Sequence, residues 1–223
     1  MVVLMIGRAA GVKWIHENAA ASMICWHGGE KIGTAVAETL FGENNPGGKL
    51  PITFPQHVGQ IPLAIPHRRG AWGGQSKDAD PNGWGKTRVV EPLYEFGYGL
   101  SYTEFKYDEL KIEPKKASAS DTITISCQIT NSGDRAGDEV VQLYFQDVYA
   151  SIAPFDQILR GFQRVSLEPG KSKTVEFKIN PIRDLKMLNR ENERIVEHGK
   201  FEVRVVSSSA ESGIKLRDEL TIE

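Results

Sequence analysis

The chain has 223 residues, room for one large or two ordinary domains, and its 40% hydrophobic and 25% charged residues make an ordinary globular composition. A formal net charge of −2 leaves no electrostatic case for a nucleic-acid partner or an anionic membrane surface. No stretch approaches the ~20 apolar residues of a membrane helix, and the short apolar run before Gly7-Arg8 is too brief for an export signal.

Residues 2–6 read as a strand apolar on both faces, the pattern of a parallel strand covered by helices. The run starts at the second residue with no crossover before it, so the segment is expected to be the later part of a larger layer. A turn follows at Gly7 to Gly11, then residues 14–18, then a second apolar run over residues 21–26. Trp14 and Trp26 flank these runs and are expected in the core. Gly28-Gly29 ends the second run, and the spacing predicts a helix over residues 30–41. Ile32, Ala35, Val36, Thr39 and Leu40 fall on one helical face, Glu30 suits the helix dipole, and Gly42 supplies a left-handed stop. Through Pro55 this amounts to about half of an α/β layer, with too little surface to bury a core of its own.

Residues 68–92 hold Gly70, Gly73, Gly74, Pro81, Gly83 and Gly85 among polar residues and two tryptophans, with no periodicity, and read as a long surface loop. From about Lys106 the period becomes two. Ile123, Ile125, Cys127 and Ile129 alternate with polar residues, as do Val141, Leu143 and Phe145, then Val175, Phe177 and Ile179, then Phe201, Val203 and Val205. Turn signals separate these runs at Asn131-Ser132-Gly133-Asp134, Glu168-Pro169-Gly170 and His198-Gly199. The last run, residues 214–222, puts Asp218 on its apolar face and leaves its register open. Short alternating strands without helices between them predict an antiparallel sandwich of the immunoglobulin or fibronectin III type. The expected division is therefore 1–67 for the end of an α/β sandwich domain, 68–105 for a long loop and linker, and 106–223 for the β-sandwich.

Few residues suggest chemistry. Cys25 and Cys127 sit in separate apolar runs and read as buried free thiols, too few to build a metal site. The five histidines show no metal-ligand spacing, no Gly-x-Ser-x-Gly elbow occurs, and the glycine-rich stretches fit neither a phosphate loop nor a dinucleotide fingerprint. No metal and no cofactor are expected. Glu17 reads as a surface residue and Glu30 as a helix-start residue rather than as catalytic acids. Trp72 and Trp84, in the long loop, are the candidates for substrate binding, because aromatic rings stack on the apolar faces of sugars.

Five segments carry a resemblance. They are the Ile6-Gly7-Arg8 turn with Cys25-Trp26-His27, the run from Ala35 through Asn45-Pro46-Gly47-Gly48-Lys49-Leu50-Pro51 to Pro55, and Phe96-Gly97-Tyr98-Gly99-Leu100-Ser101-Tyr102. To these add Asn131 to Asp134 with Gly137-Asp138-Glu139-Val140-Val141-Gln142-Leu143-Tyr144, and Leu159-Arg160-Gly161-Phe162 with its following Pro-Gly turn. In this order they resemble the C-terminal part of family three glycoside hydrolases, the β-glucosidase-like enzymes. Gly28 and Lys31 depart from the family's usual residues after the tryptophan, which touches only the detail of that turn. The resemblance implies a (β/α)8 barrel, an α/β sandwich and a fibronectin type III-like domain, with a retaining mechanism that uses an aspartate nucleophile on the barrel and a glutamate acid/base on the second domain. No residue here matches either carboxylate, so no catalytic residue is expected in this chain, which alone should be inactive. Its expected partners are a carbohydrate substrate in the complete enzyme and either the missing N-terminal barrel or another copy of itself. A non-catalytic carbohydrate-binding or protein-interaction module is the alternative, and a stand-alone enzyme with a new site is a third reading that no constellation of residues supports.

Overall fold

In the computed structural model, which describes residues 1–63, 65–66 and 91–223, the chain opens with a β-α-β-α run. Strand β1 (Val2–Leu4) leads through helix α1 (Lys13–Asn18) to strand β2 (Ser22–Ile24), which pairs with β1 in parallel, Val3 opposite Met23. Helix α2 (Ile32–Phe41) follows and stops at Gly42, whose φ of 82° and N–H bond to the Thr39 carbonyl form the expected left-handed cap. The helix starts two residues later than its apolar spacing suggests. The Ile32 side chain folds over Gly28, and Glu30 lies in the turn before the first helical residue, outside the reach of a dipole role.

Little of this unit is covered. Its core comprises three buried apolar residues, Val12, Leu50 and Phe54, with Leu4, Ile15, Ile24 and Trp26 half-buried around them. Helix α1 buries no residue and α2 buries only Thr39. Trp26 packs edge-on against Phe54 with ring centroids 5.9 Å apart, but Trp14 is 71% exposed, contrary to the sequence expectation. Successive residues of a helix point about 100° apart, so once Ile15 turns inward its neighbour Trp14 faces away.

The sandwich begins at Phe105. Its first strands are β3 (Phe105–Glu113), the two-residue β4 (Lys116–Ala117), β5 (Ile123–Asn131), β6 (Gly137–Asp147), β7 (Ile158–Leu167) and β8 (Ser172–Ile179). After the short helix α3 (Pro181–Asp184) and a small hairpin of β9 (Met187–Leu188) and β10 (Arg194–Ile195) come β11 (Gly199–Val206) and β12 (Ile214–Ile222). Strands β3, β5 and β8 form one antiparallel sheet with β5 central; the other sheet runs β4-β12-β11-β6-β7. The apolar alternation predicts the inner faces correctly: Ile123, Ile125, Cys127 and Ile129 of β5 are all buried, as are Val203 and Val205 of β11. The sandwich core holds 21 buried apolar residues against three in the first unit, so most of the hydrophobic stabilisation lies here.

The register of β12 is now explained. Asp218 does sit on the inward-facing row, opposite Val203, and Lys115 from the neighbouring edge reaches it at 2.6 Å. A charge on the apolar row is tolerated because a cation meets it at the sheet margin. Truncating the core should be costly and truncating the first unit's surface should not. We expect Leu143→Ala to lower stability by about 2–5 kcal/mol and Trp14→Ala to change it by no more than about 0.5 kcal/mol, read from denaturant midpoints of the isolated chain.

Candidate functional site: the seam and the uncovered face

Glu17 and Glu30 both lie at the exposed surface of the first unit. Glu17 is an exposed partner of Lys13 at 2.8 Å, one helical turn away, and the hydrogen bond from Lys13 holds its carboxyl below the usual range. A glycosidase acid needs the opposite shift. Glu30 is exposed in its turn. Both cysteines are free thiols: Cys127 is buried, which pushes it up to about 11, while Cys25 is only half-buried. Trp72 and Trp84 lie outside the described residues.

What the signature segments build is a seam between the α/β unit and the sandwich. Leu50 and the Phe96–Tyr98 stretch run side by side, the Leu50 N–H donating to the Tyr98 carbonyl at 2.8 Å and the Gly97 N–H to the Leu50 carbonyl at 2.7 Å. Two glycines make this approach possible. Gly97 has a φ of 82°, and a Cβ there would fall 2.4 Å from the Gln142 amide; a Cβ on Gly99 would meet the Gly48 carbonyl at 2.6 Å. Two asparagines then stitch the segments together. Asn45 donates to the Ala136 carbonyl and accepts from Ser101 Oγ and the Tyr102 N–H. Asn131, fully buried, accepts from Thr103 Oγ1 at 2.7 Å and the Gly133 N–H, and donates to the Arg135 and Leu167 carbonyls. Both side-chain amides therefore spend donor and acceptor on neighbours far away in sequence.

Lys49 brings a charge into the seam. Its ammonium donates to the Gly99 carbonyl at 2.8 Å and lies 3.4 Å from Glu139 Oε2, with the two side chains only 9% and 5% exposed. Glu139 stands on the inward row of β6, in line with Val141 and Leu143, so Lys49 closes the open end of the sandwich core. Tyr107 lies close by. Burial first, and then the charge of Glu139 and the approach of its carboxylate to the hydroxyl, push its phenol far above the ordinary range.

The outer face of β6 is buried as well, which alternation alone does not foretell. Gln142, Tyr144 and Gln146 occupy the row that a free sandwich would present to water. Gln142 Nε2 donates to the Ser207 carbonyl, the Tyr144 hydroxyl donates to Gln142 Oε1, and Phe96, Ile65 and Pro66 border Tyr144. The signal was in the signature itself: Gln142 and Tyr144 are polar residues that the outer row of a plain sandwich would not need to specify.

Elsewhere the first unit is bare. Of the fourteen large apolar side chains exposed among the described residues, ten lie at or before Tyr102, including Met5, Trp14, Val58, Leu100 and Phe41, the last 85% exposed. The two best-formed cavities among the described residues hold only about 160 and 70 Å³. Both are below the ~300 Å³ at which ligand pockets begin.

Two measurements test this description. Replacing Asn131 by alanine leaves Thr103 and two buried carbonyls unpaired, so the chain should lose about 2–4 kcal/mol in chemical denaturation. Acid should weaken the molecule through its paired aspartates. Hydrogen bonds from Ser166 and Arg164 hold Asp138 below the ordinary aspartate value of 3.8 despite partial burial. Burial raises Asp218, but the bonds from Lys115 and the Glu219 N–H outweigh it and leave it lowered too. A depressed carboxylate stabilises the fold fully above its unfolded-state value and loses that contribution as pH falls below it. The urea midpoint should therefore be flat near neutrality and drop below about pH 4, and less steeply in the Asp138→Asn, Asp218→Asn double variant.

Comparison with known proteins agrees with this geometry. Residues 1–102 match the glycosyl hydrolase family 3 C-terminal domain and residues 139–209 match the fibronectin type III-like domain. A β-xylosidase of Formosa agariphila is 41% identical over 218 residues, covering 96% of this chain and 29% of the relative. A periplasmic β-glucosidase of Salmonella typhimurium is 39% identical over 213 residues, 94% of this chain and 28% of the relative. The crystal structure of a β-glucosidase from Listeria innocua in complex with isofagomine superposes with a TM-score of 0.88 at 33% identity, over 99% of this chain and 31% of that one. The chain thus spans less than a third of the relatives it matches. It belongs to glycoside hydrolase family 3, of which it carries the C-terminal region, the end of the α/β domain and the fibronectin type III-like sandwich.

Proposed function

We propose that this chain serves as the C-terminal part of a retaining glycoside hydrolase of the β-glucosidase type, acting on β-linked glucose or xylose residues. The observation that carries this reading is the uncovered apolar face of the first unit. Among the described residues up to Tyr102, three apolar side chains form the buried core while ten large ones are exposed, as expected of a half-layer completed by other segments. In this reading the catalytic carboxylates lie in a barrel-bearing region that packs on Trp14, Phe41 and their neighbours. The chain supplies the end of the second domain and a brace behind it. The sandwich acts as support and not as a separate carbohydrate-binding module, because its β6 outer face is occupied by the chain's own linker.

The isolated chain is expected to show no turnover of aryl β-glucosides or aryl β-xylosides, since such hydrolysis depends on a pair of carboxyl groups acting together. Grafting this chain in place of the matching C-terminal region of the Salmonella β-glucosidase should give a soluble hydrolase within roughly tenfold of the parent, about 1.4 kcal/mol of barrier. A folded but inactive graft, or turnover by the isolated chain that a single substitution at Glu17 or Glu30 abolishes, would count against the proposal. Trp14→Asp with Phe41→Asp should leave the isolated chain's stability within about 0.5 kcal/mol of wild type and still inactivate the graft. Trp72 and Trp84 are proposed to border outer sugar subsites. Alanine at either should raise KM for long oligosaccharides several-fold, in line with about 1 kcal/mol per aromatic contact, with little change in kcat. Unchanged kinetics on every chain length would assign both rings to packing.

A further inference from the structure

We infer that the Lys49–Glu139 pair is the latch that docks the Gly42-to-Pro55 loop onto the sandwich, the open end of the sandwich serving as the receptor for that loop. The first unit cannot owe its order to its own core, which has only three buried apolar residues. Its order must come through the seam. The seam's other bonds are neutral or partly exposed: Asn45 to the Ala136 carbonyl, Arg135 to the Gly42 carbonyl at 3.1 Å, and the Tyr102 hydroxyl to the Thr39 carbonyl at 2.8 Å. Among the described residues, Lys49 and Glu139 form the one seam contact in which two opposite charges are both taken out of water.

That difference gives the pair its leverage. Glu139 Oε2 has Lys49 as its cation, and the Tyr107 hydroxyl is the polar group beside the same carboxylate. Withdrawing Lys49 leaves a buried carboxylate without a cation, with only the Tyr107 phenol to meet it, a state far costlier than an exposed broken pair. The sandwich is therefore fully stable only with the loop docked, and the loop's ammonium meets its carboxylate only in the sandwich, the Gly99 carbonyl of the linker being its second acceptor. Such a coupling acts equally in both directions. Strand β6 and the Gly-Gly-Lys-Leu stretch thus recognise one another through charge, with the glycines allowing the close approach. The inference concerns how the chain holds together and stands independently of the activity proposed above.

Hydrogen exchange read by mass spectrometry on the full 223-residue chain tests it. In Lys49→Met, peptides covering residues 42–55 and β1 should lose protection at least tenfold more than peptides covering β5. An equal loss in both regions would make the pair an ordinary stabiliser of a single unit, and no loss in either would make it dispensable; each overturns the inference. Should Lys49→Met fail to fold, Lys49→Met/Glu139→Leu decides. With both charges removed, β5 should return to within about threefold of wild-type protection while residues 42–55 stay open. Wild-type protection of residues 42–55 in that double variant would overturn the latch.

Discussion

A carboxylate on the inner face of a β-sandwich is the constraint around which this chain is arranged. Glu139 occupies a position whose neighbours along β6 are valine and leucine, and a charge there must be compensated. The compensation comes from Lys49, ninety positions earlier, at the end of a glycine-rich loop. Everything adjacent follows from delivering that ammonium: the Gly97 and Gly99 backbone that lets two segments run in contact, the Asn45 and Asn131 amides that fix their spacing, and the Gln142 and Tyr144 side chains that fill the outer face of the same strand. The family's most distinctive sequence segments are, in this chain, the two sides of one interface.

Much of the fold was legible because it obeys local periodicity. Ile123 to Ile129, Val203 and Val205, and the Gly42 stop of α2 follow from alternation and cap chemistry alone. The departures have a common physical origin in partners distant along the chain. Trp14 was assigned to the core from its place beside an apolar run, whereas its direction is set by which helical face Ile15 turns to the sheet. The start of α2 moved because Ile32 packs on Gly28. Asp218 looked misplaced until Lys115 was seen beside it. The double-sided burial of β6 could not be read from its own residues, since Gln142 and Tyr144 are covered by distant segments, Ile65, Pro66, Phe96 and Gly97 before the sandwich and Ser207 late in it.

The candidate site was legible in a different sense. The resemblance placed the catalytic carboxylates outside this chain, and the geometry of Glu17 and Glu30 gives neither one the surroundings of a catalytic acid. What remains on the chain is a surface with two characters. One side is a polar, bonded seam that joins the α/β unit to the sandwich. The other is a set of exposed apolar side chains that includes Trp14 and Phe41.

The central claim is that the seam is held by mutual dependence between Lys49 and Glu139. The most direct measurement is a double-mutant cycle on the isolated chain, using Lys49→Met, Glu139→Leu and the pair, with stabilities from urea denaturation. The account predicts that the single changes cost far more together than the double change does, with a coupling energy of about 1.5–3 kcal/mol, the range of buried charge-assisted bonds. A coupling near zero, with the single costs simply adding, would contradict it.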